Sequence, residues 1–217
     1  MQHHPSVELL SDWARSGLHA GAMLAVGCHV CGCAICRRET ALWESVGGNL
    51  LDATPSASLS EGALARALDR LDTTVQAPSA SAQNRAPGYL QRFNPPAPLL
   101  AQKIGMRRWV TPNIWFAPIA IPSESSERTY LVYARRNTTM AKHTHVGREF
   151  TSVLCGSFSD DTGTYGPGDF AQTDDSVTHA PAITGDADCL SLISTDAPMR
   201  LVGLTARVIQ TMTGTLY

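Results

Sequence analysis

The chain predicts a two-part α + β protein: a small helical bundle followed by an antiparallel β sandwich or small barrel. Three observations carry that expectation. Up to about residue 75, apolar positions recur at helical spacing. Beyond residue 98, short runs rich in β-branched and aromatic residues alternate with Gly, Pro, Asp and Asn. Between the two lies QAPSASAQNRAPGYLQRFNPPAP, rich in Pro, Ala and Ser and without clear periodicity, which reads as a linker or strap. The expected organisation is a helical domain over 1–76, a linker over 77–98 and a β domain over 99–217.

In the first part, Val7, Leu10, Ala14 and Leu18 share one helical face, and Ser6 is placed to cap the first turn. A second helix is expected over 20–29 and a third over 34–46, stopped by Gly47 and Gly48. A fourth, in SEGALARALDRLDTTV, has Leu64, Ala67, Leu68, Leu71 and Val75 in one stripe, with Ser60 as its cap. Such short helices are marginal alone and need mutual packing or a staple. The stripe of Leu64, Leu68 and Leu71 either completes the domain's own core or offers a groove to a partner helix. In the second part, WVTPNIWFAPIAI, RTYLVYARR, EFTSVLCGSFSD, DFAQTDD, CLSLISTD and MRLVGLTARVIQ read as strands. Many short strands in one domain suggest a sandwich or a small barrel.

Composition narrows the function classes. Charged residues make up 17 % of the 217 residues and the net charge is -2, so no basic field exists to hold a phosphate backbone. Direct nucleic-acid binding is not expected. The opening MQHHPSVELLSDWARS lacks the pattern of a signal peptide, and no apolar run reaches the roughly 18 residues of a spanning helix. A soluble cytoplasmic protein without membrane contact is the expectation. Six cysteines are too sparse for a disulfide scaffold, and four of them crowd into GCHVCGCAICRR.

Within that stretch His29, Cys33 and Cys36 are spaced H-x3-C-x2-C, across the turn expected between the second and third helices. Zinc takes about four such N and S ligands in a tetrahedron, and His3 or His4 can supply the fourth. Cys28/Cys31 and Cys33/Cys36 are each Cys-x2-Cys pairs, but a thioredoxin-like site expects its pair between a strand and a helix, and the surroundings here are helical. In the β part, His143-x-His145-x3-Glu149 places two imidazoles on one strand face, with Glu149 returning after Gly147 and His179 arriving from a distant strand. Three imidazoles and a carboxylate suit zinc, iron, manganese, nickel or copper.

Here the residues carry a family resemblance. Residues 137–156, with His143, His145, Glu149 and Gly156, resemble the first motif of the cupins, Asn137 standing where that motif has its leading glycine. Residues 163–179, with Pro167, Gly168, Asp169 and His179, resemble the second motif, with a longer interval before the histidine and Ile183 in the place of an asparagine. The N-terminal half resembles the zinc-binding anti-sigma domain. The order of the halves, the HHxSxxLL opening and the GGxL over 47–50 are similar to the ChrR-type anti-sigma factors of bacteria.

The resemblance implies a double-stranded β-helix (cupin) barrel after the helical bundle. It assigns His4, His29, Cys33 and Cys36 to one zinc, and His143, His145, Glu149 and His179 to a second metal, zinc with iron or manganese as alternatives. It implies a 1:1 complex with an ECF sigma factor, gripped by the helical domain and kept from core RNA polymerase. The cupin domain would serve the response to oxidative stress such as singlet oxygen or organic peroxide. Cys28 and Cys31 are extra relative to the family pattern and make redox-sensitive zinc ligation more plausible.

Two other functions compete. A cupin metalloenzyme, for example a dioxygenase acting on a small oxygenated substrate, is chemically possible. Against it, no general base is placed, and Cys155 and Cys189 on predicted strands read as buried apolar residues. A storage or ligand-binding cupin with a zinc-stabilised head is the other alternative. An enzyme predicts iron or manganese and turnover; an anti-sigma factor predicts a stable complex made by the helical domain.

Overall fold

The computed structural model describes residues 1–72, 86–121, 127–197 and 199–202. Helix α1 (Val7–Ala14) begins at Ser6, whose Oγ accepts the Leu9 amide. Its buried residues are Leu9 and Leu10, whereas Val7, expected on the inner face, is 52 % exposed. Trp13 ties α1 to the next helix by donating its indole N–H to the Met23 carbonyl.

Helix α2 (Ala20–Gly32) is apolar all round, which marks a helix covered on every side. Gly21, Ala22 and every residue from Leu24 to Val30 are buried. Its cap is a side chain the sequence did not single out: His19 Nδ1 accepts the Ala22 amide. Helix α3 (Ala34–Asp52) leaves α2 at a bend of 117°. It runs through Gly47 and Gly48 rather than stopping there. Both glycines have open space around them, and a helical glycine costs only about 1 kcal/mol relative to alanine, so the pair weakens the helix without ending it. Helix α4 (Ala63–Asp72) follows, with Ser60 Oγ accepting from the Arg66 guanidinium and its carbonyl from the Ala63 amide. Val75 of the expected stripe lies outside the described residues. Among the described residues no single helix is long and apolar enough to cross a membrane.

The segment expected as linker contributes to the core. Residues Gly88–Phe93 form a 3-10 helix and Ala97–Leu100 a short α5. Leu90, and Leu99 just beyond the expected linker, are fully buried, and Tyr89 donates to the Gly105 carbonyl at 2.6 Å.

The β part has strands β1 (Lys103–Ile104), β2 (Arg108–Thr111), β3 (Ile114–Ala120), β4 (Arg128–Ala134), β5 (His143–Thr144), β6 (Glu149–Cys155), β7 (Ser157–Asp160), β8 (Gly163–Tyr165), β9 (Phe170–Thr173), β10 (Thr178–His179), β11 (Ala182–Thr184), β12 (Cys189–Thr195) and β13 (Arg200–Leu201). All pairings are antiparallel. The large sheet runs β1-β3-β4-β12-β6-β9, with β2 beside β3. Two three-stranded sheets, β10-β5-β13 and β11-β7-β8, complete the β part. The run expected as one strand from Glu149 breaks into β6 and β7 at Gly156. Its φ is +68, and a side chain there would collide with the Asp188 carbonyl. Asn137, in the glycine's place, also has a left-handed backbone (φ 58), which asparagine tolerates better than most residues.

Helix α2 lies on the large sheet, against β6 and β12. At Gly21 the helix approaches so closely that a Cβ would overlap Thr129 Oγ1 and Ser194 Oγ. One apolar cluster therefore runs from Leu10, Val26 and Val30 through Leu90 and Leu99 to Trp115, Phe150 and Leu192.

Candidate metal centres and helical surface

The N-terminal centre is built at the junction of α2 and α3. Cys33 closes α2 and opens α3 in an extended conformation, and its side chain makes no cap hydrogen bond. Cys36 follows within the first turn of α3. His29 is one turn back in α2. His4 arrives from the extended amino-terminal segment, completing the four predicted residues.

The donor spacings suit a tetrahedral ion. His29 Nε2 is 3.2 Å from Cys36 Sγ and 3.3 Å from His4 Nδ1, and His4 Nδ1 is 3.4 Å from both Cys33 Sγ and Cys36 Sγ. All four donors lie within 4.8 Å of one another. Metal bonds of ~2.0–2.3 Å in a tetrahedron put donors roughly 3.3–3.8 Å apart. Burial pushes the Cys36 thiol up to about 12, assisted by the adjacent Cys33, and holds the His29 imidazolium below its usual range. The cluster therefore favours neutral imidazole, and a cation must displace the thiol proton.

Cys28 and Cys31 stand outside this group. Cys28 is buried, its thiol pushed up to about 12 by desolvation and then by Cys31, whereas Cys31 is exposed.

In the β part, His143 on β5, His145 just beyond it and His179 on β10 point their Nε2 atoms at one point. His179 Nε2 is 3.1 Å from each of the other two. The rings are oriented from outside: His143 Nδ1 donates to the Ala141 carbonyl at 2.7 Å, and His179 Nδ1 lies 2.7 Å from Asp160 Oδ2. Such outer partners fix the tautomer that leaves Nε2 free to ligate. Glu149, at the start of β6, sits beside this triad and is not among the mutually close donors. Its Oε2 is 3.4 Å from His145 Nδ1, and both buried atoms lack a hydrogen bond. Burial raises the Glu149 carboxyl to about 7 and, with the neighbouring imidazoles, lowers His145 to about 3. Converging imidazole nitrogens and an unsatisfied buried carboxyl are what a bound cation would relieve.

An apolar cavity opens beside the triad, between His143, His179, Val132, Phe158 and Ile183. Cys189 also lines it, with a thiol raised to about 11 by burial, so it is a poor nucleophile.

Sequence reasoning gave no role to Asp160 and only a motif position to Gly168 and Asp169. Gly168 O accepts His29 Nδ1–H at 2.7 Å, and Asp169 Oδ1 accepts the amides of Gln2 at 2.6 Å and His3 at 3.2 Å. The PGD run was the available signal, but its partners lie more than 130 residues away.

The third predicted group, Leu64, Leu68 and Leu71, is 69 %, 52 % and 78 % exposed, so these leucines do not complete a core among the described residues. Ile35, Leu42, Val46, Leu50 and Leu51 of α3 are exposed as well.

A family model described as the ChrR cupin-like domain matches residues 102–197. The chain is 31 % identical over 215 residues to the anti-sigma-E factor ChrR of Cereibacter sphaeroides, covering 97 % of each. It also resembles a chain in the crystal structure of Rhodobacter sphaeroides SigE in complex with the anti-sigma ChrR. There the TM-score is 0.73 with 28 % identity, over 90 % of this chain and 99 % of the other. Similarity that runs through both the helical and the β part settles the kinship: the chain belongs to the ChrR family of cupin-containing anti-sigma factors.

Proposed function

We propose that this protein binds an ECF-type sigma factor 1:1 in the cytoplasm and holds it inactive through the N-terminal helices. Kinship with ChrR over nearly the whole chain supports this reading. The observation that carries it is the apolar surface on α3 and α4. Val46, Leu50, Leu64, Leu68 and Leu71 are large, exposed and arranged at helical spacing, a surface that a partner helix fills. Burying each leucine contributes about 1.5–3 kcal/mol.

Zinc held by His4, His29, Cys33 and Cys36 would fasten α1, α2 and α3 to one another, because His4 precedes α1, His29 lies in α2, and Cys33 and Cys36 lie at the start of α3. His143, His145, His179 and Glu149 would hold the second metal, and the β part would serve the response to oxidants such as singlet oxygen or organic peroxide. When bound, the metals supply charge that keeps thiolates and carboxylate ionised. The residues themselves orient, bury and exclude water.

The test is coexpression of the full chain with its cognate ECF sigma factor. Size-exclusion chromatography with light scattering should give a 1:1 complex that abolishes sigma-dependent transcription in vitro, and two metals per chain. Free, active sigma factor in the presence of the metal-loaded chain would overturn the reading. The apolar cavity beside the histidine triad favours a second reading, a cupin enzyme on a small oxygenated substrate; this predicts iron or manganese and turnover.

A further inference from the structure

The two metal-ligand groups lie on different parts of the fold, yet one short stretch of chain touches both. At one end is Asp160, the last residue of β7, whose side chain is 2 % exposed and whose Oδ2 holds His179 Nδ1. Its other oxygen accepts Thr162 N at 2.8 Å and Thr162 Oγ1 at 2.5 Å. Thr162 Oγ1 lies 3.1 Å from the Tyr165 hydroxyl, and the Tyr165 ring packs 4.5 Å from the ring of His3. Four residues on from Tyr165, Asp169 clamps the amides of Gln2 and His3, and Phe170 N donates to the His3 carbonyl. These bonds set the position of His4, the next residue. Gly168, with φ at +86, turns its carbonyl onto His29 Nδ1. The turn is stiffened by Gly166 N on Asp169 Oδ2 and by two backbone bonds to Val153 of β6.

Two of the four N-terminal donors and one of the three histidine nitrogens in the β part are therefore positioned by residues 160–169. We propose that this hairpin and turn couple the two centres: Asp160, Gly168 and Asp169 are positioning residues, and loss of order at His179 loosens the hold on His4 and His29. The inference rests on reading both clusters as metal sites; it does not depend on the sigma factor. Contiguity suggests a route, and non-additivity measures it.

The experiment uses the full chain loaded with zinc, and in parallel with cobalt(II), whose thiolate charge-transfer band reports the cysteine-containing site alone. Metal release to a chromogenic chelator is followed for each site. Asp169→Asn should speed release from the N-terminal site about tenfold and leave the histidine site unchanged, the size expected for an outer-sphere partner. Asp160→Asn should also speed N-terminal release, and should add nothing further when Asp169 is already replaced. Thr162→Val, in an exposed turn, breaks only the middle link and serves if Asp160→Asn does not fold; faster N-terminal release is expected there too. A native N-terminal rate in Asp169→Asn or Thr162→Val, or independent effects of Asp160 and Asp169 that multiply, would overturn the coupling. Two metals per unaltered chain are required at the outset. Fewer would overturn both the metal-site reading and the coupling, whereas two metals with unresponsive release would overturn the coupling alone.

Discussion

A thiol buried without a cation keeps its proton, and Cys36 illustrates the consequence. Desolvation and the adjacent Cys33 hold it up at about 12, so at neutral pH the metal-free fold carries a proton there. Metal entry expels it, which makes affinity rise with pH and fall in acid. Calorimetric titration of the metal-free chain in two buffers of different ionisation enthalpy should show release of about one proton or more per N-terminal metal. Cys36→Ser should drop the metal content from two to one and lose sigma-factor binding together, read by metal analysis and by co-purification. Persistent full-affinity binding after metal loss would contradict the bundle-fastening role. At this scale His29, Cys33 and Cys36 were legible because they share one helical junction. By spacing alone His4 was one of two candidates, and the resemblance chose it; spacing does not show that Asp169, remote in sequence, holds the neighbouring His3 amide. The Glu149 spacing was legible too, yet spacing does not reveal that Oε2 stands 3.4 Å from His145 Nδ1, beside the converging nitrogens.

The four expected helices are present, with two short ones after them that were not expected, and their extents were read less well, for a physical reason. A glycine pair looks like a stop, but a stop also needs a left-handed residue or a cap, and Gly47 and Gly48 are not among the residues with positive φ. Replacing both with alanine should therefore stabilise α3 by about 1–2 kcal/mol in sum, with slower amide exchange over its last turns. In α4 the leucine stripe was legible as amphipathic, but not whether it faces a core or a partner. That depends on what packs against it. Because Leu64 and Leu68 are exposed, Leu64→Ser with Leu68→Ser should leave the melting temperature and both metals unchanged. It should weaken the sigma-factor complex about 30-fold or more, about 2 kcal/mol, measured by fluorescence anisotropy. A lowered melting temperature with native affinity would place the stripe in a core instead.

Composition divided the whole molecule into bundle, linker and β domain, and the packing does not respect those divisions. Helix α2 is buried between α1, α3 and the large sheet, and Leu90 from the expected linker and Leu99 just beyond it fill the seam. A periodicity argument sees an all-apolar helix such as α2 but not which element covers its far side. The contact at Gly21 is the most exacting point of that seam, because Thr129 and Ser194 are short side chains on strands and cannot swing away as a long one would. Gly21→Val should therefore push helix and sheet apart, an overpacking cost of about 1–3 kcal/mol. If the halves share one cooperative core, hydrogen exchange will accelerate in α2 and in β12 together, and thermal unfolding will stay a single transition at lower temperature. Acceleration confined to α2, with β12 still protected, would show that the β part stands alone and that the helical part is carried on it as a separable head.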